Sequence, residues 1–290
     1  MADRDRIRNP VEWSVDQLRT AGAAVGQTGH AVRGLDESER SAALQIRRIA
    51  VSDLGDVLAK GWQDFVACRS DVIFLAIIYP LAGLVLAWSV FNYEVIPLLF
   101  PLVSGFALLG PVAAVGLYEM SRRREQGASV GWGDAFGVLA TPQFGAVLVL
   151  GLILLAIFLL WLVTAHTIYR ATMGQEGIVS LSAFYRDAFT TEAGRELMFV
   201  GIGVGFLFAV LVLAISVVSF PMLLDRKVSL WAAIETSLKV CTTNPVPMAV
   251  WGLIVAGGLV LGSLPLLLGL VVVMPVLGHA TWHLYRRVVV

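Results

Sequence analysis

Charged residues are scarce in this sequence of 290 residues: Asp, Glu, Lys and Arg together make up only 14% of the chain. Soluble domains carry about 25% charged and about 45–50% apolar residues. This chain is 58% apolar, with a mean hydropathy of +0.80. So much apolar surface requires a solvent other than water, which excludes an ordinary soluble domain and indicates an integral membrane protein. The 21 basic and 21 acidic residues balance, so nothing indicates a nucleic-acid partner.

Cysteine is also scarce, because Cys68 and Cys241 are the only two and cannot form a disulfide framework. The first 70 residues contain no hydrophobic signal, so we expect no cleaved secretory peptide. The beginning of the chain mixes acids and arginines with a stretch rich in glycine, alanine and threonine. We therefore predict that residues 1–47 form a mobile cytoplasmic tail.

Long uncharged runs are what the sequence has in abundance. Four of them, 72–91, 95–118, 144–165 and 199–220, are long enough to cross about 30 Å of hydrocarbon, which takes roughly 20 helical residues. Residues 240–285 also carry no charge, and the breaker sequence 262–265 (Gly-Ser-Leu-Pro) divides them into spans 246–263 and 265–284. The predicted fold class is all-α. It is a polytopic membrane helix bundle of six transmembrane helices within residues 48–287, followed by a C-terminal tail, 288–290.

The basic residues predict the orientation of this bundle, because Lys and Arg near span ends are retained on the cytoplasmic side. With both termini in the cytoplasm, 18 of the 21 basic residues lie inside. The three on the opposite side, in the segment 166–198, are outnumbered there by acidic residues. We therefore expect a multi-pass protein with cytoplasmic N- and C-termini.

Amphipathic segments between the spans predict short helices that lie in the membrane interface. Ser52 is the predicted N-cap of the first. One face of this helix is apolar (Leu54, Val57, Leu58, Gly61, Trp62 and Phe65), and the other is polar (Asp53, Asp56, Lys60 and Asp64). Ser229 begins a similar segment, and Gly131 begins a shorter one.

Several motifs resemble a bacterial family known as domain of unknown function 2189. They are Ser219–Arg226 (SFPMLLDR), Asn244-Pro245 with Trp251-Gly252, Gly278–Arg286 (GHATWHLYR), Thr190–Gly194 (TTEAG) and Gly110-Pro111 with Gly116–Glu119 (GLYE). The likeness covers roughly residues 48–287. It implies a polytopic protein of the bacterial inner (plasma) membrane with no established activity, and members are sometimes labelled as oxidase-subunit-like. Because the family is uncharacterised, no catalytic residue is carried over from it.

His279 and His283 are candidate metal or haem ligands, since residues four apart share one face of a helix. No Glu follows the first His as in a zincin, and a metal needs further ligands. His166 is predicted at the opposite membrane face. The favoured interpretation is that the pair joins Trp282 and Tyr285 in an interfacial belt at a helix end. No metal or cofactor is predicted.

Carboxylates inside a membrane would indicate an ion or proton path, but the six predicted spans contain none. This weighs against a proton-coupled transporter. The predicted topology brings five polar side chains to a similar depth at the cytoplasmic ends of the spans, close to Arg122–Arg124. This candidate polar cluster consists of Asp71, Glu119, Asp225, His279 and His283.

Glycines and prolines within the spans give two further expectations. Glycines four apart, as at 201 and 205 and at 258 and 262, allow helices to pack closely. The second span contains Pro97, Pro101, Gly105, Gly110 and Pro111, so it is either a kinked helix or a discontinuous helix of the kind that binds substrates.

No phosphate loop or nucleophile elbow is present, and we expect no Ser or Cys to have a nearby base. No catalytic residue is therefore predicted. The leading hypothesis is a non-catalytic protein whose partners are the lipid bilayer and other membrane-protein subunits, as an accessory subunit or assembly factor of a respiratory complex. A channel or facilitator for a small solute is one alternative, and a haem- or metal-binding redox protein is the other.

Overall fold

A computed structural model describes residues 45–68, 99–174, 181–265 and 267–290 of the chain. The predicted span 72–91, Asp71 and all but residues 45–47 of the predicted tail lie outside these described residues. Within the described ranges the chain forms helices and no strand, in agreement with the predicted all-α class.

The described ranges contain eleven α-helices and one 3₁₀ helix, Trp132–Ala140. The α-helices are α1 (Asp53–Ala67), α2 (Leu99–Leu108), α3 (Gly110–Ala113), α4 (Val115–Glu125), α5 (Phe144–Met173), α6 (Leu181–Thr190), α7 (Glu192–Ser216), α8 (Ser219–Asp225), α9 (Leu230–Thr243), α10 (Pro245–Ser263) and α11 (Leu270–Val288).

Three of the predicted spans correspond to segments that are long and apolar enough to cross a membrane. They are α5, α7 together with α8, and α10. Helix α5 has 30 residues, which is about 45 Å at 1.5 Å per residue. It is therefore longer than the predicted 144–165 and carries His166 in its interior. The structure does not establish the predicted number of six.

The second predicted span is interrupted within its described part. Turns at Leu109 and Ala114 separate α2, α3 and α4. Pro111 lies in the first turn of α3, where its missing N–H costs least. Helix α4 then runs beyond the predicted end of the span to Glu125, because residues 119–125 consist mainly of Glu, Met and Arg, which have good helix propensity.

The predicted break in the last uncharged run is confirmed. Helix α10 ends at Ser263, and α11 begins at Leu270, five residues later than predicted. The connection is a tight turn in which Leu267 adopts a positive φ of 67°. A Cβ on Gly269 would lie 2.7 Å from the carbonyl oxygen of Gly262, so this turn requires glycine.

Helix α1 packs along α11, and two details differ from the sequence-based expectation. Ser52 makes no side-chain cap; instead the Asp53 carboxylate accepts a hydrogen bond from the N–H of Ala50 at 2.8 Å. The polar–apolar division is also wrong at two positions, since Trp62 is 51% exposed and Asp64 is only 7% exposed.

The other two segments predicted as surface helices are helical. Ser229 caps α9, accepting a hydrogen bond from the N–H of Ala232 at 3.2 Å. The segment that follows Gly131 is a 3₁₀ helix, and Asp134 accepts a hydrogen bond from the Gly131 N–H at 2.9 Å.

Close helix packing at glycine is confirmed at some of the predicted positions only. A Cβ on Gly205 would lie 3.0 Å from Trp161, and one on Gly262 would lie 3.0 Å from Leu270. Gly201 is different, because a Cβ there would meet no described atom within 4 Å. The described residues therefore do not pack closely against this glycine.

Candidate functional site

Several buried polar side chains of the described residues lie where α1, α4 and the second half of α11 meet. Two glycines allow these helices to approach. A Cβ on Gly61 of α1 would lie 2.6 Å from Cβ of Ala280, and a Cβ on Gly278 of α11 would lie 2.6 Å from Cδ1 of Leu117. The close approach brings polar side chains of all three helices within hydrogen-bonding distance of one another.

Four of these side chains form a continuous chain of hydrogen bonds, which we call the His–Ser–Asp–His chain. Nδ1 of His279 lies 2.8 Å from Oγ of Ser121. The Ser121 hydroxyl donates to Oδ2 of Asp64 at 2.7 Å, and Nε2 of His283 lies 2.8 Å from the same oxygen. His279 is completely buried, and Ser121 is 1% exposed.

The donor order in this chain follows from the carboxylate, which only accepts hydrogen bonds when ionised. The Ser121 proton points to Asp64, so the Ser121 oxygen accepts from Nδ1–H of His279. A neutral His279 with its proton on Nδ1 has an unprotonated Nε2. That atom is buried and has no hydrogen-bond partner among the described residues.

Burial and hydrogen bonding shift the pKa of Asp64 in opposite directions. Burial raises the pKa of this carboxyl group, but the hydrogen bonds from His283 and Ser121 outweigh it, so the pKa lies below its ordinary value of 3.8. Arg124 adds an ion pair at 3.4 Å from Oδ1. Asp64 is therefore held as a carboxylate that joins α1 to α4 and α11.

Glu119 is a second buried carboxylate, with 1% of its side chain exposed. Arg122 donates to both of its oxygens at 2.8 Å, and Arg123 donates to Oε1 at 2.7 Å. Arg123 also pairs with Asp134 of the 3₁₀ helix. These pairs neutralise the buried charge and attach the 3₁₀ helix to α4.

Asp225 lies at the end of α8 and binds residues at the end of α11. The Tyr285 hydroxyl donates to Oδ2 of Asp225 at 2.7 Å and accepts from Nε of Arg226 at 3.1 Å. Arg286 joins Asp225, at 3.3 Å, to Glu125 of α4, at 3.1 Å. Burial, followed by the hydrogen bond to Asp225, raises the pKa of Tyr285, so the phenol remains protonated.

The described members of the predicted polar cluster thus lie at the same end of the bundle but in separate groups. His279 and His283 belong to the His–Ser–Asp–His chain, while Glu119 and Asp225 each have their own arginine partners. The interpretation as an interfacial belt is wrong, because Trp282 is 1% exposed and Tyr285 is completely buried. These rings pack between helices, where Nε1 of Trp282 donates to Glu125 at 3.0 Å.

Sequence reasoning missed Asp64 and Ser121. Positions 54, 57, 61, 64 and 68 follow helical spacing, so Asp64 stands on the buried stripe of α1, and this signal was available. Ser121 gave no signal, because its two partners lie 57 and 158 residues away.

The expectation that no Ser has a nearby base is also wrong, since His279 lies next to the Ser121 hydroxyl. The geometry nevertheless does not suit nucleophilic catalysis. The Ser121 proton is directed at Asp64 instead of the imidazole, and both Ser121 and His279 are out of reach of a substrate. What the arrangement does chemically is to cross-link three helices with charge-assisted hydrogen bonds.

Within the described residues, no group of three or more His, Cys, Asp and Glu side chains is arranged to hold a metal ion. His283 directs Nε2 to Asp64, and His279 directs Nδ1 to Ser121. The two histidines therefore use one ring nitrogen each for contacts with protein groups.

Comparison with known proteins gives one match. Neither a curated protein nor a solved structure matches this chain. A family described as predicted integral membrane protein (DUF2189) matches residues 99–225, which covers the motifs at 110–119, 190–194 and most of 219–226. The motifs at 244–252 and 278–286 lie outside the matched segment. Residues 99–225 of this chain are therefore similar to the predicted integral membrane proteins of the family known as domain of unknown function 2189.

Proposed function

We propose that this protein is a non-catalytic, multi-pass protein of the bacterial inner membrane that binds a transmembrane helix of another membrane protein, as an accessory subunit or assembly factor of a membrane complex. The observation that supports this role is an apolar groove between α2 and α7. Its volume is about 240 Å³.

Small residues form one wall of this groove. Gly201, Gly205 and Ala209 follow one another at intervals of four on α7 and line the groove. Small residues at this spacing allow a second helix backbone to approach closely, and such contacts favour helix association in a membrane. Gly201 has space for a side chain that no described residue fills.

The opposite wall and floor are also apolar. Phe100 of α2 is 62% exposed, and Phe206 of α7 is 63% exposed at the rim. The Ser104 hydroxyl is satisfied by the carbonyl oxygen of Phe100 in its own helix at 2.7 Å. None of the described residues that line the groove is charged. An apolar helix is therefore a better occupant than a polar solute.

The proposal includes six spans with both termini in the cytoplasm, in line with the distribution of basic residues. Reporter fusions test the orientation. A reporter active only in the cytoplasm should function when fused after Val290 and fail when inserted within 175–180. Activity of a periplasmic reporter at Val290 would contradict this topology.

Site-specific photo-crosslinking in intact cells tests the groove. A photoreactive residue at Ile202, which lines the groove and is 60% exposed, should crosslink to one membrane protein. The same residue at Leu207, which is 64% exposed on the same helix but does not line the groove, is the control and should crosslink mainly to lipid.

A matched pair of glycine variants provides the second arm. Gly201→Leu fills the groove and should abolish the crosslink from Ile202. Gly203→Leu adds the same side chain to an equally open position on the same helix outside the groove, and it should leave the crosslink unchanged. Crosslinking to lipid alone from both positions would refute the proposed function.

The interruptions at Leu109 and Ala114 favour the facilitator alternative, since broken helices line the substrate paths of transporters. Solute flux into proteoliposomes, absent from empty vesicles, would support it. The redox alternative depends on His279 and His283, and an absorbance spectrum of the purified protein with a haem Soret band would support it.

A further inference from the structure

Basic side chains from three separate segments line a cleft of about 210 Å³ beside the His–Ser–Asp–His chain. They are Arg47 of the segment before α1, Lys60 of α1, and Arg286 and Arg287 of α11. Asp56 and Glu125 are the acidic residues of the lining. The lining itself therefore holds four basic and two acidic side chains.

We propose that this cleft binds the phosphate group of an anionic phospholipid. The proposal concerns a different surface from the α2–α7 groove and does not depend on the function proposed above.

Arg47 is held in place by its backbone. The amide of Asn244, which is 2% exposed, donates to the carbonyl oxygen of Arg47 at 3.2 Å and accepts from the N–H of Ile49 at 2.9 Å. The N–H of Arg47 donates to the carbonyl oxygen of Val288 at 2.9 Å. These bonds fix the segment 45–50 against the end of α11, so one wall of the cleft is preorganised.

The arginines of α11 are held by carboxylates at the side of the cleft. Arg287 pairs with Asp53, and Arg286 pairs with Glu125 and Asp225. Arg47 and Lys60 have no ion-pair partner among the described residues, and both are exposed. The cleft therefore combines two fixed guanidinium groups with two cations that are available to an anion.

The position of the cleft favours a lipid over a soluble anion. On α1, Trp62 is 51% exposed and Val66 is 42% exposed. An exposed Trp on a helix that also carries an exposed Lys, here Lys60, is typical of the boundary between headgroups and acyl chains. Basic pockets at the headgroup level bind anionic lipids. Phosphatidylglycerol is a suitable anionic lipid for the test.

The test measures phosphatidylglycerol binding to the purified full-length protein by native mass spectrometry, with phosphatidylcholine as the reference lipid. The wild-type protein should retain phosphatidylglycerol in preference to phosphatidylcholine. Each removed cation should weaken phosphatidylglycerol binding about fivefold, so the double variant Arg47→Gln/Lys60→Gln should lose about 25-fold.

Two control variants separate this cleft from general surface charge. Arg48→Gln/Lys239→Gln removes the same charge from exposed residues outside the cleft and should change binding less than about twofold. Asp56→Asn removes a negative charge from the lining and should strengthen binding severalfold. Equal losses in both double variants, or no preference of the wild type for phosphatidylglycerol, would overturn the proposal.

A competition arm distinguishes the two sources of phosphate. Inorganic phosphate at millimolar concentration should leave the bound phosphatidylglycerol in place, because it lacks the acyl chains that the membrane boundary accommodates. Displacement of the lipid by inorganic phosphate, with the same sensitivity to Arg47→Gln/Lys60→Gln, would assign the cleft to a soluble anion and refute the lipid assignment.

Discussion

The Ser121 hydroxyl lies 2.8 Å from Nδ1 of His279, a residue 158 positions later in the chain. This contact joins α4 to α11, and the donation from Ser121 to Asp64 extends it to α1. A buried polar group costs free energy when it lacks a partner, so each member of this chain depends on the others. The stability of the three-helix junction is therefore sensitive to single substitutions.

Ser121→Ala should lower the free energy of unfolding by about 1–3 kcal/mol, because Nδ1–H of His279 is left buried without an acceptor. Denaturant unfolding of the detergent-solubilised protein measures this. The matched control is Thr167→Ala, whose exposed hydroxyl donates to the Val163 carbonyl of its own helix and to no other described residue. It should change stability by less than about 0.5 kcal/mol. Equal effects would show that the Ser121 contact contributes nothing specific.

Gly61→Ala should destabilise the protein by about 1–3 kcal/mol, since the added methyl group would lie 2.6 Å from Ala280 and force α1 away from α11. Gly55→Ala is the control on the same helix. It meets no described atom within 4 Å, and the higher helix propensity of Ala should leave stability unchanged or raised by up to about 1 kcal/mol. Thermal unfolding midpoints of the two variants should therefore shift in opposite directions, or only that of Gly61→Ala should shift.

His279→Gln should destabilise by about 1–3 kcal/mol, because the ring is completely buried and Gln fills neither its volume nor its contacts. His283→Gln should cost less, since that side chain is 16% exposed and the Gln amide can donate to Asp64. Denaturant unfolding of the two single variants gives the comparison. A larger cost at His283 would contradict the assignment of His279 as the buried member. If the two histidines only formed an interfacial belt, both substitutions would have a small effect on stability.

The lowered pKa of Asp64 gives stability a defined pH dependence. Because the folded-state pKa lies below the unfolded value of 3.8, this contribution is fully present above that pH and is lost as the pH falls through the folded-state pKa. Asp64→Asn should therefore flatten the acid limb of a plot of unfolding free energy against pH. The exposed Glu235→Gln should leave that limb almost unchanged, because surface ion pairs contribute little. An acid limb that is identical in wild type and Asp64→Asn would disprove the role of this carboxylate.

The helical character of the chain followed from local information. Uncharged runs of about 20 residues predict helices without reference to the rest of the fold, because a bilayer demands internal hydrogen bonding and apolar surface. The helices α5, α7 and α10 therefore lie where they were expected. The ends of the helices were harder to predict. Helix α5 continues to Met173, beyond the apolar run, because the polar residues that follow the run can also adopt helical structure.

Local sequence information predicted only part of the candidate site. Depth in the membrane placed Glu119, Asp225, His279 and His283 at one end of the bundle, but depth does not determine neighbours. Asp64 stood on the buried stripe of α1, and yet a carboxylate at an amphipathic position is usually assigned to solvent. Its burial becomes acceptable only because Ser121, His283 and Arg124 supply donors from two other helices.

By itself, the sequence determined that this protein is a helical membrane protein with few charges and no formal charge within its predicted spans, because those properties depend on composition and on local runs. The tertiary structure alone decided that Trp282 and Tyr285 are buried instead of forming a belt. It also decided that Ser121 links His279 to Asp64 by hydrogen bonds and that Arg47 and Arg287 line the same cleft. Contacts such as these join residues far apart in the chain, and they form only after helix packing has fixed which faces meet.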